Sequence, residues 1–345
     1  MTFTDYIFET SRFYDKVAVI DKEGYSYKHI HFKVNSISNC LKNKGIEKGN
    51  PILLMAENSL FFIEAYFGII KSGAVCVPIN PSLSMDHIEY ILKSLNIKYV
   101  FIQKKLMNKI ENLISHDMEI YTEEDMDKLD IYKEDIDNNV KIHDVALILF
   151  TSGSTAKPKG VVLTHSNLIY NTNSIIEYLR LSEKDRIEVV LPFYYCYGTS
   201  LLHTHFRVGG SLVINNKFMF PQTVLDDINK YECTGFAGVP STFQILLKNS
   251  DIKNTKFHSL RYITQAGGRM ANIFIEELMN ILKGVDIYIM YGQTEATSRL
   301  SYLPPNLLKE KLGSIGKGIP GTKLKVINEH GTSVKPGRVG EIVAM

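Results

Sequence analysis

The sequence predicts an α/β fold with two doubly wound α/β subdomains, followed by a partial antiparallel β-subdomain. Short apolar runs alternate with amphipathic stretches over residues 25–102 and again over 189–290, as in parallel strands joined by covering helices. After residue 313, frequent Gly and Pro separate short alternating strands, which indicates antiparallel β-structure. We therefore expect one domain over residues 1–345, with subdomains at 1–144, 145–310 and 311–345.

The composition is that of an ordinary globular protein and excludes several functional classes. The chain is 45% hydrophobic and 22% charged with a net charge of +2, which shows no bias towards nucleic acid or another polyanion. The N-terminus lacks the pattern of a signal peptide, and no apolar run approaches the ~18 residues of a membrane span. We expect a cytoplasmic protein with no nucleic-acid partner and no integral membrane segment. The scattered positions of the cysteines predict free thiols.

The first α/β series is marked by apolar runs and by residues that begin or end helices. A strand leads into a helix over residues 25–40, and Gly73 ends a helix that starts near Ser59. Residues 104–142 are charged and are predicted to be surface helix and loop. The other predicted strands are 51–56, 74–78 and 99–102, and the other predicted helix is 85–94.

The second series begins with a buried strand at residues 145–150 and a short strand at 161–163. A helix is expected to begin near Thr164. The remaining predicted strands are 189–191, 211–214, 235–239, 261–265 and 286–290. The remaining predicted helices are 199–207, 223–231, 241–248 and 273–282.

The loop after the strand at 145–150 suits a polyphosphate. Glycine lets backbone N–H groups approach an anion, while hydroxyls add hydrogen-bond donors and lysines add positive charge. The loop is not a Walker A sequence, because Pro158 stands where that motif has its second Gly. An ordinary polar turn between two strands is the alternative interpretation. The candidate residues are Thr151, Ser152, Gly153, Ser154, Thr155, Lys157 and Lys159.

A second polar stretch follows the strand at 286–290, at the end of a parallel strand where α/β sheets bind ligands. It consists of Tyr291, Gly292, Gln293, Thr294 and Glu295. Tyr291 offers an aromatic face, Thr294 offers a hydroxyl, and Glu295 offers a hard oxygen ligand for Mg²⁺. The alternative is a capping turn in which Glu295 is only solvated.

A third stretch, Gly267, Gly268 and Arg269, follows the strand at 261–265 in the same way. The two glycines have no side chains to obstruct a flat ring that packs on the backbone. A tight turn at the entry to a helix is the alternative interpretation.

In combination, these stretches resemble the adenylate-forming superfamily of acyl-CoA synthetases, peptide-synthetase adenylation domains and luciferases. TSGSTAKPKG resembles its phosphate loop, YGQTE its Tyr-Gly-x-Thr-Glu motif, and AGGR its adenine-flanking turn. Four more segments match in the family's own order: KSGAVCVPIN, LPFYYCYG, GSIGKGIPG and GRVGEI. The resemblance covers nearly the whole chain and implies an acyl-CoA-synthetase-like N-terminal domain.

The resemblance implies that the chain binds ATP and Mg²⁺ and joins AMP to a carboxylic acid. Tyr291 would stack on adenine, Thr294 would hydrogen-bond the α-phosphate, and Glu295 would bind the metal. The implied catalytic residues are Thr151, Lys159, Thr294 and Glu295. The implied nucleotide-binding residues are Ser152, Gly153, Ser154, Thr155, Lys157, Gly267, Gly268, Arg269, Tyr291, Gly292 and Gln293.

By the same resemblance, the product is an acyl-adenylate that a thiol then intercepts. The thiol would belong to CoA or to the phosphopantetheine of an acyl carrier protein. Tyr195, Ser241 and Gly292 are the candidate residues of the acid pocket. Residues 193–197 contain no carboxylate to pair with a substrate ammonium, which favours an acyl or aryl acid over an amino acid. A non-catalytic nucleotide-binding module is the alternative.

Two departures from the family pattern affect these expectations. Ala156 stands where the family most often has Gly, and it would add about 1 kcal/mol of strain if that position requires a positive φ. The family continues past the equivalent of Met345 into a small C-terminal domain that supplies a lysine to adenylation. We therefore expect most of an N-terminal adenylation domain with impaired turnover.

Overall fold

The computed structural model describes residues 1–134, 139–151 and 157–345, and in them two large β-sheets are covered by helices. The helices are α1 (Phe3–Phe8), α2 (Tyr27–Asn43), α3 (Leu60–Ser72), α4 (Met85–Ser94), α5 (Glu123–Asp127), α6 (His165–Leu179), α7 (Cys196–Arg207), α8 (Gln222–Lys230), α9 (Pro240–Asn249) and α10 (Asn272–Ile281). The strands are β1 (Val17–Asp21), β2 (Glu23–Ser26), β3 (Pro51–Met55), β4 (Val75–Pro78), β5 (Tyr99–Ile102), β6 (Glu119–Tyr121), β7 (Val145–Thr151), β8 (Lys159–Thr164), β9 (Arg186–Val189), β10 (Ser211–Ile214), β11 (Gly235–Gly238), β12 (Tyr262–Gln265), β13 (Asp286–Tyr291), β14 (Ser301–Leu303), β15 (Lys317–Gly318), β16 (Leu324–Ile327) and β17 (Glu341–Ala344).

The smaller of these sheets has the order β6-β5-β3-β4-β7-β8, and its pairs are parallel except for the antiparallel pair β7–β8. The larger has the order β15-β14-β13-β12-β11-β9-β10-β1-β2 and is parallel from β13 to β1. Helices cover both, so inner strands such as β4 are buried along their whole length. The predicted α/β class with two helix-covered sheets is confirmed.

Helices α3 and α7 pack against each other between the sheets. The hydroxyl of Tyr66 on α3 lies 2.8 Å from Nε2 of His203 on α7, and the ring centroid of Phe62 on α3 lies 5.5 Å from that of Phe193, which precedes α7. Both contacts are buried, which joins the layers into one core cluster. The position of α7 in that core matters for the site, because its first turn lies beside the candidate residues.

Sheet membership does not follow chain order at two places. The N-terminal pair β1–β2 joins the larger sheet, where Val19 is in register with Leu212 of β10. The pair β7–β8 belongs to the smaller sheet, where Cys76 of β4 is in register with Leu147 of β7. Such long-range pairings leave no trace in local apolar periodicity. The subdomain limits near residues 144 and 310 stay a prediction.

Most predicted elements agree with the structure, and the differences have physical causes. The oxygen of Ser59 accepts a hydrogen bond from the backbone of Phe62 at the start of α3, and Gly73 ends the helix with φ of 89°, as predicted. The strand predicted at 189–191 lies earlier, at Arg186–Val189, because the buried carboxyl of Glu188 interrupts the apolar run. Strand β6 lies within the predicted surface stretch 104–142, where charged neighbours conceal its pattern.

The C-terminal residues form the predicted antiparallel β-structure. Strands β16 and β17 pair antiparallel, with Leu324 opposite Ala344. Among the described residues, no helix is both long enough and apolar enough to cross a membrane.

Candidate functional site

The predicted phosphate loop connects strands β7 and β8. Thr151 and Lys159 are register partners, and the Thr151 hydroxyl donates a hydrogen bond to the carbonyl of Lys159 at 3.5 Å. The two predicted ends of the loop are therefore held opposite each other by the antiparallel pair. The candidate residues Ser152, Gly153, Ser154 and Thr155 lie outside the described residues, as does Ala156.

Lys157 is the first described residue after that gap. Its ammonium lies 5.2 Å from the ring centroid of Tyr90 on helix α4, which is the geometry of a cation–π contact. Lys159 is exposed at the start of β8. Both predicted lysines thus belong to the β7–β8 hairpin, and Lys157 contacts a helix that covers the smaller sheet.

The second and third predicted stretches meet in one cleft of about 570 Å³, a size typical of small-molecule sites. Gly267, Gly268 and Arg269 line one part of it, and Tyr291 and Gly292 line another. Strands β12 and β13 are parallel neighbours, with Gln265 in register with Ile289, so the loops that follow them lie side by side. Two stretches that are 24 positions apart in sequence (267 and 291) are thereby brought together.

The glycines of the cleft leave its wall without side chains, and two of them are required by the backbone. A Cβ at Gly292 would lie 1.8 Å from the carbonyl oxygen of Ser298, a distance that no side chain can occupy. Gly267 has φ of 82°, the left-handed region that favours glycine. A Cβ at Gly268 would lie 3.4 Å from Cγ of Pro240, which is ordinary contact. The cleft therefore has a bare backbone wall, as expected for a site that receives a flat ring.

Other residues of the cleft were not predicted. Gln265 is buried, and its amide nitrogen donates to the carbonyls of Ala266 and Gly268 at 3.3 and 2.8 Å, which fixes the glycine turn. A segment from the start of the C-terminal region, Gly313–Ile315, also lines the cleft. The turn signal of GSIGKGIPG marks this segment in the sequence but does not indicate which cleft it lines. The additional lining residues are Gln265, Met270, Ile275, Ile289, Met290, Gly313, Ser314 and Ile315.

Gln293, Thr294 and Glu295 continue from the cleft into a short 3₁₀ turn, Thr294–Ala296. The Thr294 hydroxyl donates to Sγ of Cys196 at 3.5 Å, and the Gln293 and Glu295 side chains are exposed. Cα atoms of this turn and of β8 come within 8 Å of each other, so the turn lies near the strand that follows the predicted phosphate loop.

Glu295 fits Mg²⁺ only as one ligand among others. No group of three or more His, Cys, Asp or Glu side chains that could hold a metal occurs among the described residues. Mg²⁺ keeps waters and is commonly held by one or two carboxylates together with substrate phosphates. A single exposed carboxylate agrees with that type of site.

Cys196, the residue that Thr294 contacts, is not suited to act as a nucleophile. Burial raises the pKa of its thiol, which the hydrogen bond from Thr294 opposes only in part. The protonated thiol is a poor nucleophile at neutral pH. Its hydrogen bond with Thr294 therefore connects the turn to the first residue of α7 and has no catalytic part.

The predicted acid-pocket residues do not converge in the same way. Tyr195 is 47% exposed, and its hydroxyl accepts a hydrogen bond from Nδ2 of Asn80 at 3.1 Å, which joins two of the family-like segments. Ser241 is exposed near the start of α9 and does not line the cleft, whereas Gly292 does. The assignment of Tyr195 and Ser241 to an acid pocket stays a prediction.

Comparison with known proteins gives a consistent result across sequence and structure. The model of the family described as "AMP-binding enzyme" matches residues 9–344. Bacitracin synthase 2 of Bacillus licheniformis is 28% identical over 334 residues, which are 95% of this chain and 12% of that protein. Acyl-CoA ligase SID4 of Ajellomyces capsulatus is 27% identical over 369 residues, covering 97% of this chain and 63% of that protein.

The fold is also found among experimental structures. The crystal structure of the anthranilate CoA ligase AuaEII in complex with anthranoyl-AMP superposes with a TM-score of 0.91 at 22% identity, covering 100% of this chain and 69% of that one. At this identity the similarity establishes the fold alone. The chain spans less than two thirds of the length of both relatives named above.

Proposed function

The chain belongs to the AMP-binding enzyme family, and we propose that it uses ATP to activate a carboxylic acid as an acyl-adenylate. One observation carries the proposal: the Gly267–Gly268 turn and the Tyr291–Gly292 turn form one bare-walled cleft, next to the turn that holds Thr294 and Glu295. A flat ring, a phosphate and a metal ion would find suitable groups in that order along one edge of the larger sheet.

Each group of residues has a separate task in this proposal. Tyr291 and the backbone of Gly267 and Gly268 hold the adenine ring, and Thr294 donates a hydrogen bond to the α-phosphate. The hairpin that carries Thr151 and Lys159 holds the remaining phosphates, and Glu295 is the ligand for Mg²⁺, which neutralises phosphate charge when bound. The chain contributes positioning and charge and no nucleophile, because burial raises the pKa of the nearby Cys196 thiol.

The reaction is an in-line displacement at the α-phosphorus. A carboxylate oxygen of the substrate forms the new bond, the bond from the α-phosphorus to the pyrophosphate oxygen breaks, and pyrophosphate leaves with that electron pair. A thiol then attacks the acyl carbon and releases AMP. CoA is our proposed acceptor, supported by the acyl-CoA ligase among the relatives, with a carrier-protein thiol as the alternative.

An acyl or aryl acid is the proposed substrate class. Residues 193–197 supply only Phe, Tyr and Cys side chains, and a buried ammonium would require a carboxylate partner. A cytoplasmic location agrees with the four free cysteines. Slow turnover of residues 1–345 by themselves stays a prediction.

The test is acid-dependent exchange of labelled pyrophosphate into ATP, with a panel of acyl acids, aryl acids and amino acids. We expect exchange with at least one acyl or aryl acid and little with amino acids. Exchange only with amino acids would contradict the substrate class. Binding of MgATP without exchange for any acid would favour the non-catalytic module. Supplying CoA or a phosphopantetheinylated carrier protein to the active mixture then identifies the acceptor.

A further inference from the structure

Arg299 is the largest fully buried side chain among the described residues, and it lies directly after the Glu295 turn. Its guanidinium donates to the hydroxyl of Tyr178 at 2.9 Å and to Oγ of Ser200 at 3.3 Å. It also lies 5.1 Å from the ring centroid of Tyr197. These partners belong to α6 and α7, so a single side chain connects the loop at residues 292–299 to two helices.

The base of that loop is held tightly to Arg299. The backbone of Leu300 donates to the carbonyl of Tyr291 at 2.9 Å, which closes the loop, and Gly292 packs on the backbone of Ser298 and Arg299. The carbonyl of Arg299 accepts a hydrogen bond from Asn171 of α6 at 3.0 Å. A displacement of the loop would therefore move the guanidinium, and the reverse also holds.

Helix α7 is connected to both ends of this arrangement. Its first residue, Cys196, accepts the hydrogen bond from Thr294, and Ser200, one turn later, accepts from Arg299. Tyr197 also donates to Thr264 of β12, the strand that leads into the glycine turn of the cleft. Tyr195, the predicted acid-pocket residue, immediately precedes the helix.

The burial of Arg299 has no compensating negative charge. No carboxylate in the described part of the chain lies within ion-pair distance, and Nε has no hydrogen-bond partner there. Arg261 offers a comparison, because it also lies over a tyrosine ring, 4.8 Å from the centroid of Tyr262, but pairs with Asp185 at 2.8 Å. A buried unpaired cation is costly, and groups of this kind persist where the surrounding structure uses them.

We propose that Arg299 is a positioning residue that couples the nucleotide loop at 292–299 to helix α7, and through α7 to the acid pocket at Tyr195. A nucleotide that fixes the loop would then also fix α7 through Arg299. Nucleotide binding and acid binding would therefore depend on each other. The proposal rests on the proposed function for the identity of the two ligands. By linkage, the acid would raise the affinity for ATP by the same factor as ATP raises the affinity for the acid, about tenfold in a typical case.

Hydrogen exchange of the intact protein with and without MgATP tests this coupling without knowledge of the acid. In the wild type we expect MgATP to slow exchange both at residues 292–299 and at residues 196–200. Arg299→Met keeps a long side chain but removes its charge and its hydrogen-bond donors. In this variant MgATP should still slow hydrogen exchange at residues 292–299 but no longer at residues 196–200. Ser200→Ala removes only the acceptor on α7, so it should weaken α7 protection in the same sense even if Arg299→Met fails to fold.

Arg261→Met is the matched control, because it removes a tyrosine-stacked arginine at the opposite end of β12 from the cleft. It should retain protection of both segments. Equal protection in Arg299→Met and the wild type, or a wild type in which only the loop is protected, would overturn the role of Arg299. A wild type that MgATP protects nowhere would instead overturn the proposed function, and the coupling with it.

Discussion

The proposed nucleotide side of the site and its predicted acid side are built in different ways. On the nucleotide side, the cleft wall is packed backbone, and a Cβ at Gly292 would overlap Ser298 at 1.8 Å. On the acid side, Tyr195 is 47% exposed with one hydrogen bond to Asn80, and Ser241 is exposed. One side is determined by close packing within the chain, whereas the other presents side chains that packing does not fix.

This difference explains why a reaction class can be proposed while the acid stays unidentified. The nucleotide is the shared substrate of the proposed chemistry, and a rigid backbone wall suits a ligand of constant shape. An exposed side chain such as Tyr195 can be replaced at little cost to folding, so it constrains the sequence weakly. Variants that affect only one side test whether the difference is functional.

Glu295→Gln should have the largest effect on the rate of pyrophosphate exchange. It tests whether burial alone distinguishes the nucleotide side from the acid side. Glu295 is as exposed as the acid-side residues, yet it is the proposed ligand of Mg²⁺. Loss of its charge should lower the rate of acid-dependent pyrophosphate exchange on the order of 100- to 1,000-fold, with unchanged stability. Glu276→Gln, at an exposed carboxylate on α10, is the control. Equal exchange rates in both variants would remove Glu295 from the mechanism.

Gly292→Ala should weaken MgATP binding by about 100-fold, or roughly 2.7 kcal/mol, because the added methyl group displaces the loop that carries Thr294 and Glu295. Isothermal titration calorimetry measures the change. Gly284→Ala is the control for a glycine substitution away from the cleft, because its Cβ would meet nothing within 4 Å, although its φ of 84° adds backbone strain that Gly292→Ala does not. An affinity for MgATP in Gly292→Ala equal to that in Gly284→Ala would contradict the proposed cleft.

Glu188→Gln changes the stability of the fold without changing a predicted site residue. Burial raises the pKa of Glu188 well above its ordinary value, so the folded protein favours the protonated form. Its stabilising contribution is complete below the unfolded pKa and is lost as pH rises through the folded pKa. The variant should therefore have a higher free energy of unfolding than the wild type at pH 7. Urea titrations at pH 7 and pH 4 should show that this difference shrinks at the lower pH, and a constant difference would contradict it.

Tyr195→Phe and Ser241→Ala should have the smallest effects and define the acid side. Both residues are exposed, so each change should alter the free energy of unfolding by no more than about 0.5 kcal/mol. The affinity for MgATP should stay unchanged, while the KM for an active acid should shift in Tyr195→Phe. A loss of MgATP affinity in either variant, measured without acid, would show that Tyr195 or Ser241 contributes to the nucleotide side directly.

The two turns that line the cleft were recognisable in the sequence because their requirements are local. A glycine turn after a strand and a Tyr-Gly-x-Thr-Glu stretch can each be recognised from a few adjacent residues. The parallel pairing of β12 and β13 then places the two turns together. The capping residue Ser59 and the ending residue Gly73 of α3 were predictable for the same reason.

Features that depend on long-range contacts could not be predicted. The pairing of β1 with β10 joins residues about 190 positions apart, and periodicity carries no information about that choice. Arg299 appears in the sequence as an ordinary basic residue after a loop, and only the contacts to Tyr178 and Ser200 reveal its burial. Gln265 is likewise recognisable as an anchor of the glycine turn only from its two carbonyl partners.

The most direct test of the central claim is the fate of carboxylate oxygen. The protein would be incubated with MgATP, an acyl acceptor and a mixture of acyl and aryl acids labelled with ¹⁸O in the carboxylate, and the released AMP would be examined by mass spectrometry. Attack of the carboxylate on the α-phosphorus predicts AMP that carries one ¹⁸O atom. Glu295→Gln should form this labelled AMP more slowly, in proportion to its reduced turnover. Unlabelled AMP, or label in inorganic phosphate, would contradict acid adenylation by this chain.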